Sequence, residues 1–268
     1  MKETRSLIYR LLACGVALAM VSTLAAQTVT QGAAKVVRLK GAARYVSGSN
    51  AGQLLKVGDL IYPGTAIQTA EKSRVDLVLG EGSAPAAGPP VAGDLLTYTP
   101  TVDQNVVRVW ENTLLGIDKL NITQTAGDEV TETQLDLKAG HIFGTVKKLS
   151  AASKYEVKIP NGVAGIRGTV YDISAEGIIK VLSGSVVVAY VGSDGAVVTQ
   201  AVMSLQEYDA PTNTLKPLPE MDKTGLERSL RGWPGRPPPP RPPPPPPPPP
   251  PSRWRPPHPP HPPHPGPI

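Results

Sequence analysis

"IPNGVAGIRGTVYDI", residues 159–173, places Gly162, Gly165 and Gly168 at every third position, with Arg167 just before the last. A phosphate cradle, a catalytic loop and a tight backbone corner could each carry such glycines. A P-loop needs G-x-x-x-x-G-K-[ST], and a dinucleotide fingerprint needs G-x-G-x-x-G opening a helix. Neither spacing is met, and "TVYDI" after Gly168 suits a strand through Val170 and Ile173. A catalytic loop needs an oriented acid–base partner. His141 is the body's one histidine, and no Ser-x-Gly elbow or close pair of acids stands beside it. A corner fits instead. Pro160-Asn161-Gly162 has strong turn chemistry after "YEVKI", and Gly165 and Gly168 permit close approach or positive φ. Val163 and Ile166 are expected to plug the core. Arg167 is expected to be a buried clamp on backbone carbonyls, with Thr169 completing the element, so that Arg167→Ala would cost about 3–5 kcal/mol.

Working outward, the body repeats one rhythm of short apolar runs broken by glycine. "SRVDLVLGEG" alternates Val75, Leu77 and Leu79 with Arg74, Asp76 and Val78, the period of a half-buried strand. "TQLDLKAGHIFGTV" brackets Gly140 with Leu135, Leu137 and Ile142. "SGSVVVAYVGSDGAVVTQAV" predicts an antiparallel hairpin over Gly192-Ser193-Asp194-Gly195, with Val186 to Val191 buried on both faces. Residues 81–94, rich in Gly, Ala and Pro, predict a surface insertion. "EMDKTGLERSLRG" from Glu220 is the best helix candidate. Aromatics are only 4% of the chain, so the core must be aliphatic. The expected fold is therefore all-β: one domain of many short strands, β-solenoid-like, with a β-sandwich or barrel as alternatives.

The chain's net charge of +5 divides unevenly. Residues 27–222 hold 17 Lys/Arg and 20 Asp/Glu; residues 223–268 hold 7 basic residues and one Glu. A mildly acidic body thus carries a basic tail, the mark of an interaction segment. At the other end, Lys2, Arg5 and Arg10 precede an apolar run to Val21, and small residues follow at Ala25 and Ala26. Residues 1–26 read as a secretory signal. The run is shorter than the roughly 20 residues that span a bilayer. Export to the periplasm or cell surface of a bacterium is expected; an uncleaved signal or lipidated Cys14 would anchor the chain instead. Cys14 is the single cysteine, so the mature chain has neither a disulfide framework nor a thiolate metal site.

Several pieces, in order, resemble the FecR family of bacterial envelope proteins: "LLKVGDLIYPGTAIQTAEKSRVDLVLGEGS", "ENTLLGIDKL", "LDLKAGHIFGTV", "YEVKIPNGVAGIRGTVYDI" and "VLSGSVVVAY". The resemblance covers residues 54–190 within a body of residues 27–218. Its most specific element is P-x-G-x-x-x-x-R-G-T from Pro160 to Thr169. It implies an all-β module whose glycines turn corners. Family members that regulate sigma factors carry a cytoplasmic anti-sigma segment, a transmembrane helix and a periplasmic receiving part. Only about ten residues precede the hydrophobic run here, so the resemblance implies the fold and the exported location rather than sigma-factor regulation.

After a linker or helix at residues 219–232, residues 233–268 hold the tail, with 23 of the 32 prolines following Trp233. Such a segment reads as a disordered polyproline II rod. His258, His261 and His264 share one face about 9 Å apart, too far for one metal ion in a straight rod. Arg236, Arg241, Arg253 and Arg255 could meet an anionic envelope surface, with Trp233 and Trp254 as interfacial anchors. The expectation is a non-enzymatic exported binding or signal-receiving module without cofactor or metal. Its partner would be an envelope protein or glycan, not nucleic acid. A structural envelope component acting through its tail is the alternative.

Overall fold

The computed structural model describes residues 29–48, 52–81, 104–125, 129–231 and 233. In chain order its strands are β1 (Val29–Gln31), β2 (Ala33–Lys40), β3 (Ala43–Ser47), β4 (Gln53–Leu54), β5 (Leu60–Ile61) and β6 (Thr65–Thr69). Next come β7 (Arg74–Glu81), β8 (Asn105–Val109), β9 (Leu114–Gln124), β10 (Glu129–Ala139), β11 (His141–Thr145) and β12 (Lys154–Ile159). Then follow β13 (Gly162–Ser174), β14 (Ile178–Val191), β15 (Val197–Met203), β16 (Gln206–Asp209) and β17 (Thr214–Pro217). The helix expected from Glu220 forms as α1 (Glu220–Arg231), with acids in its first turn and arginines in its last, as the helix dipole favours.

The all-β expectation holds: the strands make a curled, open sheet, half a barrel. Its pairings trace two facing walls. Wall one runs β4, β3, β6, β9, β10, β12, the first half of β13, the second half of β14, then β15. Wall two runs β5, β2, β7, β8, β11, the second half of β13, the first half of β14, β16, then β17. β1 extends wall one beside the far end of β9. Every pairing is antiparallel except β10 with β12.

The chain crosses between the walls along two opposite seams. In the first half it bends at Gly41, Lys72, Asn112 and Gly140, all at positive φ. Buried hydroxyls lace these corners: Ser73 Oγ accepts from the Ala42 amide at 2.9 Å, Thr69 Oγ1 from Thr113 at 3.0 Å, and Thr113 Oγ1 from His141 at 3.2 Å. Gly140 is obligatory, since a Cβ there would lie 2.3 Å from Thr113 Oγ1. In the second half the bends are Gly168, Gly184 and Leu205, on the other side. Each half is therefore closed where the other is open.

Between the walls lies an aliphatic core, including Val36, Leu77, Val107 and Ile142 from one side and Ile67, Leu115, Leu135 and Val186 from the other. Tyr155 and Tyr171 meet inside it, hydroxyl to hydroxyl at 3.0 Å. Burial raises both phenols well above their ordinary range. Gly144 lies against the Tyr171 ring, where a Cβ would come within 2.3 Å.

Two burial expectations change. β7 is not half-buried: Asp76 and Val78 are as enclosed as Leu77, because α1 covers the outer face of wall two. Conversely, Val186 to Val191 is buried on one face only, with Val187 50% exposed, because no described element covers that face of wall one. The hairpin itself is as expected, with Gly192 and Ala196 bonded across its loop. Most of the proposed insertion at residues 81–94, and the signal segment, lie outside the described residues.

Candidate functional site

The glycine stretch is a corner element. Pro160-Asn161 is the two-residue turn joining β12 to β13, with Ile159 opposite Gly162. Gly162 is needed for close approach, since a Cβ would sit 2.6 Å from the Ala189 carbonyl. Gly168 has the positive φ (64°) that bends β13 from wall one to wall two. Gly165 has neither requirement, its nearest neighbour lying at 3.7 Å.

The clamp expected of Arg167 belongs to Thr169. Arg167 is exposed and donates one long bond, 3.4 Å, to the Leu149 carbonyl. Alternation along β13 places Arg167 outward with Val163, and the bulge at Gly168 then returns Thr169 to the interior, where it is 1% exposed. The Thr169 hydroxyl donates to the Ser185 carbonyl at 2.8 Å and accepts from the Ser185 amide at 3.3 Å. Its backbone exchanges two bonds with Val146. Val163 also departs from expectation: it is exposed, and Ala164 with Ile166 fills the core.

At the open mouth of the first half, the walls part around a polar cavity of about 170 Å³, lined among others by Asn105, Asn121, Glu129, Thr131 and Lys147. A groove continues from it past Lys148, Ser150 and Ser153. Its rim is held by local bonds. Lys147 donates its amide to Asn105 Oδ1 at 2.9 Å and its ammonium to Glu129 at 3.4 Å. Ser153 Oγ accepts from the Thr131 amide and contacts Ser150 Oγ at 2.8 Å. Amide, hydroxyl and ammonium donors beside one carboxylate suit a polar ligand. They offer no activated nucleophile. Sequence reasoning missed this site because its residues come from five separated segments, none with a motif.

A second constellation roots the tail. On wall two's outer face, Arg108 makes a bidentate pair with Asp76, at 2.7 and 2.9 Å, both buried. The guanidinium lies 5.5 Å from the Trp110 ring and 4.9 Å from the Trp233 ring. It also donates to the Ser229 carbonyl near the end of α1, at 3.3 Å. Trp233, expected as an interfacial anchor of the tail, is instead 7% exposed and packs edge-on to Phe143. The α1 helix carries it back onto the wall, where Leu226 and Leu230 complete the contact. Arg236, Arg241, Arg253, Trp254 and Arg255 lie outside the described residues, as do the tail histidines.

Two titratable groups merit mention. His141 stacks on Trp110 at 5.6 Å, and burial lowers its pKa. Asp172, half-buried beneath α1, is pushed up to about 7 by desolvation; Lys180 works against the rise and Asp222 adds to it. No group of three or more His, Cys, Asp or Glu that could hold a metal ion occurs among the described residues. Nor is any described helix long and apolar enough to cross a membrane.

Residues 100–187 match the model of the FecR protein family. The matched stretch, about a third of the chain, includes β8 to β13, both sides of the first mouth and the Gly168 bend. No curated protein matches the sequence. Two crystal structures of a presumptive anti-sigma factor from Parabacteroides distasonis are similar in part. One shares 15% identity at a TM-score of 0.34, the other 13% at 0.33. Each match covers 49% of this chain and 58% of the other.

Proposed function

We propose that the chain is a non-enzymatic, exported FecR-type receiving module of the bacterial cell envelope, which binds a protein or glycan there. The FecR match over residues 100–187 carries this proposal. FecR proteins are regulatory and envelope-associated. The polar mouth beside Lys147 and Glu129 supplies a binding position, shaped by both walls. The basic tail adds attachment to an anionic surface.

The test is capture from bacterial envelope extracts, using the full chain, a chain ending at Trp233, and Lys147→Glu. A partner retained by the shortened chain and lost in Lys147→Glu supports the mouth as the receiving site. Envelope association lost on shortening, and abolished by high salt in the full chain, supports a structural component acting through its tail. Fractionation with protease protection tests export; a cytoplasmic chain would end the proposal.

A further inference from the structure

Among the described residues, wall one ends in a strand with no neighbour on its far side. Of the described strands, β15 (Val197–Met203) pairs with β14 alone. At about 3.4 Å per residue it offers roughly 24 Å of open edge. Sheet edges are usually blunted by charge, proline or brevity, because an open edge invites another strand. The other ends of the walls are blunted so: β4 and β5 have two residues each, and β17 has four, including Lys216 and Pro217. β15, "VVTQAVM", has none of these protections.

The direction of its free groups can be read from the ladder. The Val191 amide bonds to Asn161 rather than across to Val197. In an antiparallel ladder the bonding alternates, so the main-chain groups of Val197, Thr199, Ala201 and Met203 point away from β14. Two are covered locally: Gln206 accepts from the Met203 amide, and the Gln200 side chain donates to the Ala201 carbonyl. Val197 and Thr199 keep both groups free of such cover, and Ala201 its N–H.

We infer that β15 is a dimerisation edge, pairing antiparallel with β15 of a second copy across a two-fold axis near Thr199 and Gln200. A two-fold contact must accept its own chemistry. Val197, Thr199, Ala201 and Met203 share one face and carry no charge, so two copies meet without like-charge repulsion. The contact is confined to one edge strand and is smaller than a standard interface, so the dimer is expected to be weak.

Sedimentation velocity of the full chain over about 1–200 µM decides the matter. The expected result is concentration-dependent dimerisation. Thr199→Pro deletes one outward N–H and no bond to β14, so it should weaken the dimer at least about tenfold with the thermal transition retained. Thr199→Lys should do the same through repulsion across the axis, and Val187→Lys, one strand inward, should not. A parent chain that stays monomeric throughout overturns the inference and leaves the edge to a strand from another protein. Dimerisation unchanged in folded Thr199→Pro and Thr199→Lys overturns it as well. Neither outcome bears on ligand capture at the mouth.

Discussion

The outer face of wall two, from Asp76 across Arg108 to Phe143, lies beneath α1 and Trp233, whereas the outer face of wall one, from Val163 across Val187 to Met203, meets solvent. Both faces are built from alternating strands, and both contain valines that alternation alone would mark as exposed. What separates them is the final descent of the chain. After β17 it turns back over wall two, and a buried ion pair, two indoles and three leucines assemble there. Wall one receives no such cover among the described elements and stays an open sheet. The covered face tethers the tail's root. The bare face and its edge stay open among the described residues.

The largest expected effect breaks the covered side. Arg108→Ala leaves the Asp76 carboxylate buried and without its main partner, which should cost about 3–5 kcal/mol by urea unfolding. Arg38, 3.7 Å away and partly exposed, would recover only a fraction. Trp233→Ala should cost about 3 kcal/mol and raise amide exchange along α1 while sparing the core strands. A stable α1 in that variant would mean the helix holds without its terminal plug.

Asp172 sharpens the comparison by pH. Its folded pKa, about 7, lies above the roughly 3.9 of an unfolded aspartate. Its contribution to stability is therefore fully present below about pH 4 and is lost as pH rises through about 7. Asp172→Asn, neutral at every pH, should melt higher than the parent at pH 8, with the gap shrinking toward pH 4. The groups facing it are Lys180 of β14 and Asp222 of α1, themselves paired at 3.0 Å. A pH-independent gap would count against this account. The smallest effect belongs to the bare wall: Arg167→Ala should change stability by no more than about 0.5 kcal/mol, read from the same unfolding curves.

Much of this was legible in the residues. Glycine-broken valine runs with a period of two could only be strands, and Pro160-Asn161-Gly162 could only turn, because local sterics and hydrogen bonding act within a few residues. The likeness to FecR proteins was legible differently, as a resemblance of several sequence pieces in order. Asp76 and Arg108, by contrast, are 32 residues apart and gave no sign of pairing. Arg167 beside two glycines was expected to be enclosed; alternation along β13 leaves it outward, and the bend at Gly168 puts Thr169 inside.

The strands, their corners and the aliphatic core follow from the spacing of apolar and small side chains along single segments, and so could be read before any fold was known. Which faces are hidden became clear from the folded chain alone. Burial of an outer face depends on what another part of the chain lays over it, and α1 lies over one wall and not the other. The polar mouth arose in the same way, where the two walls part opposite their seam and bring together residues that no local pattern connects.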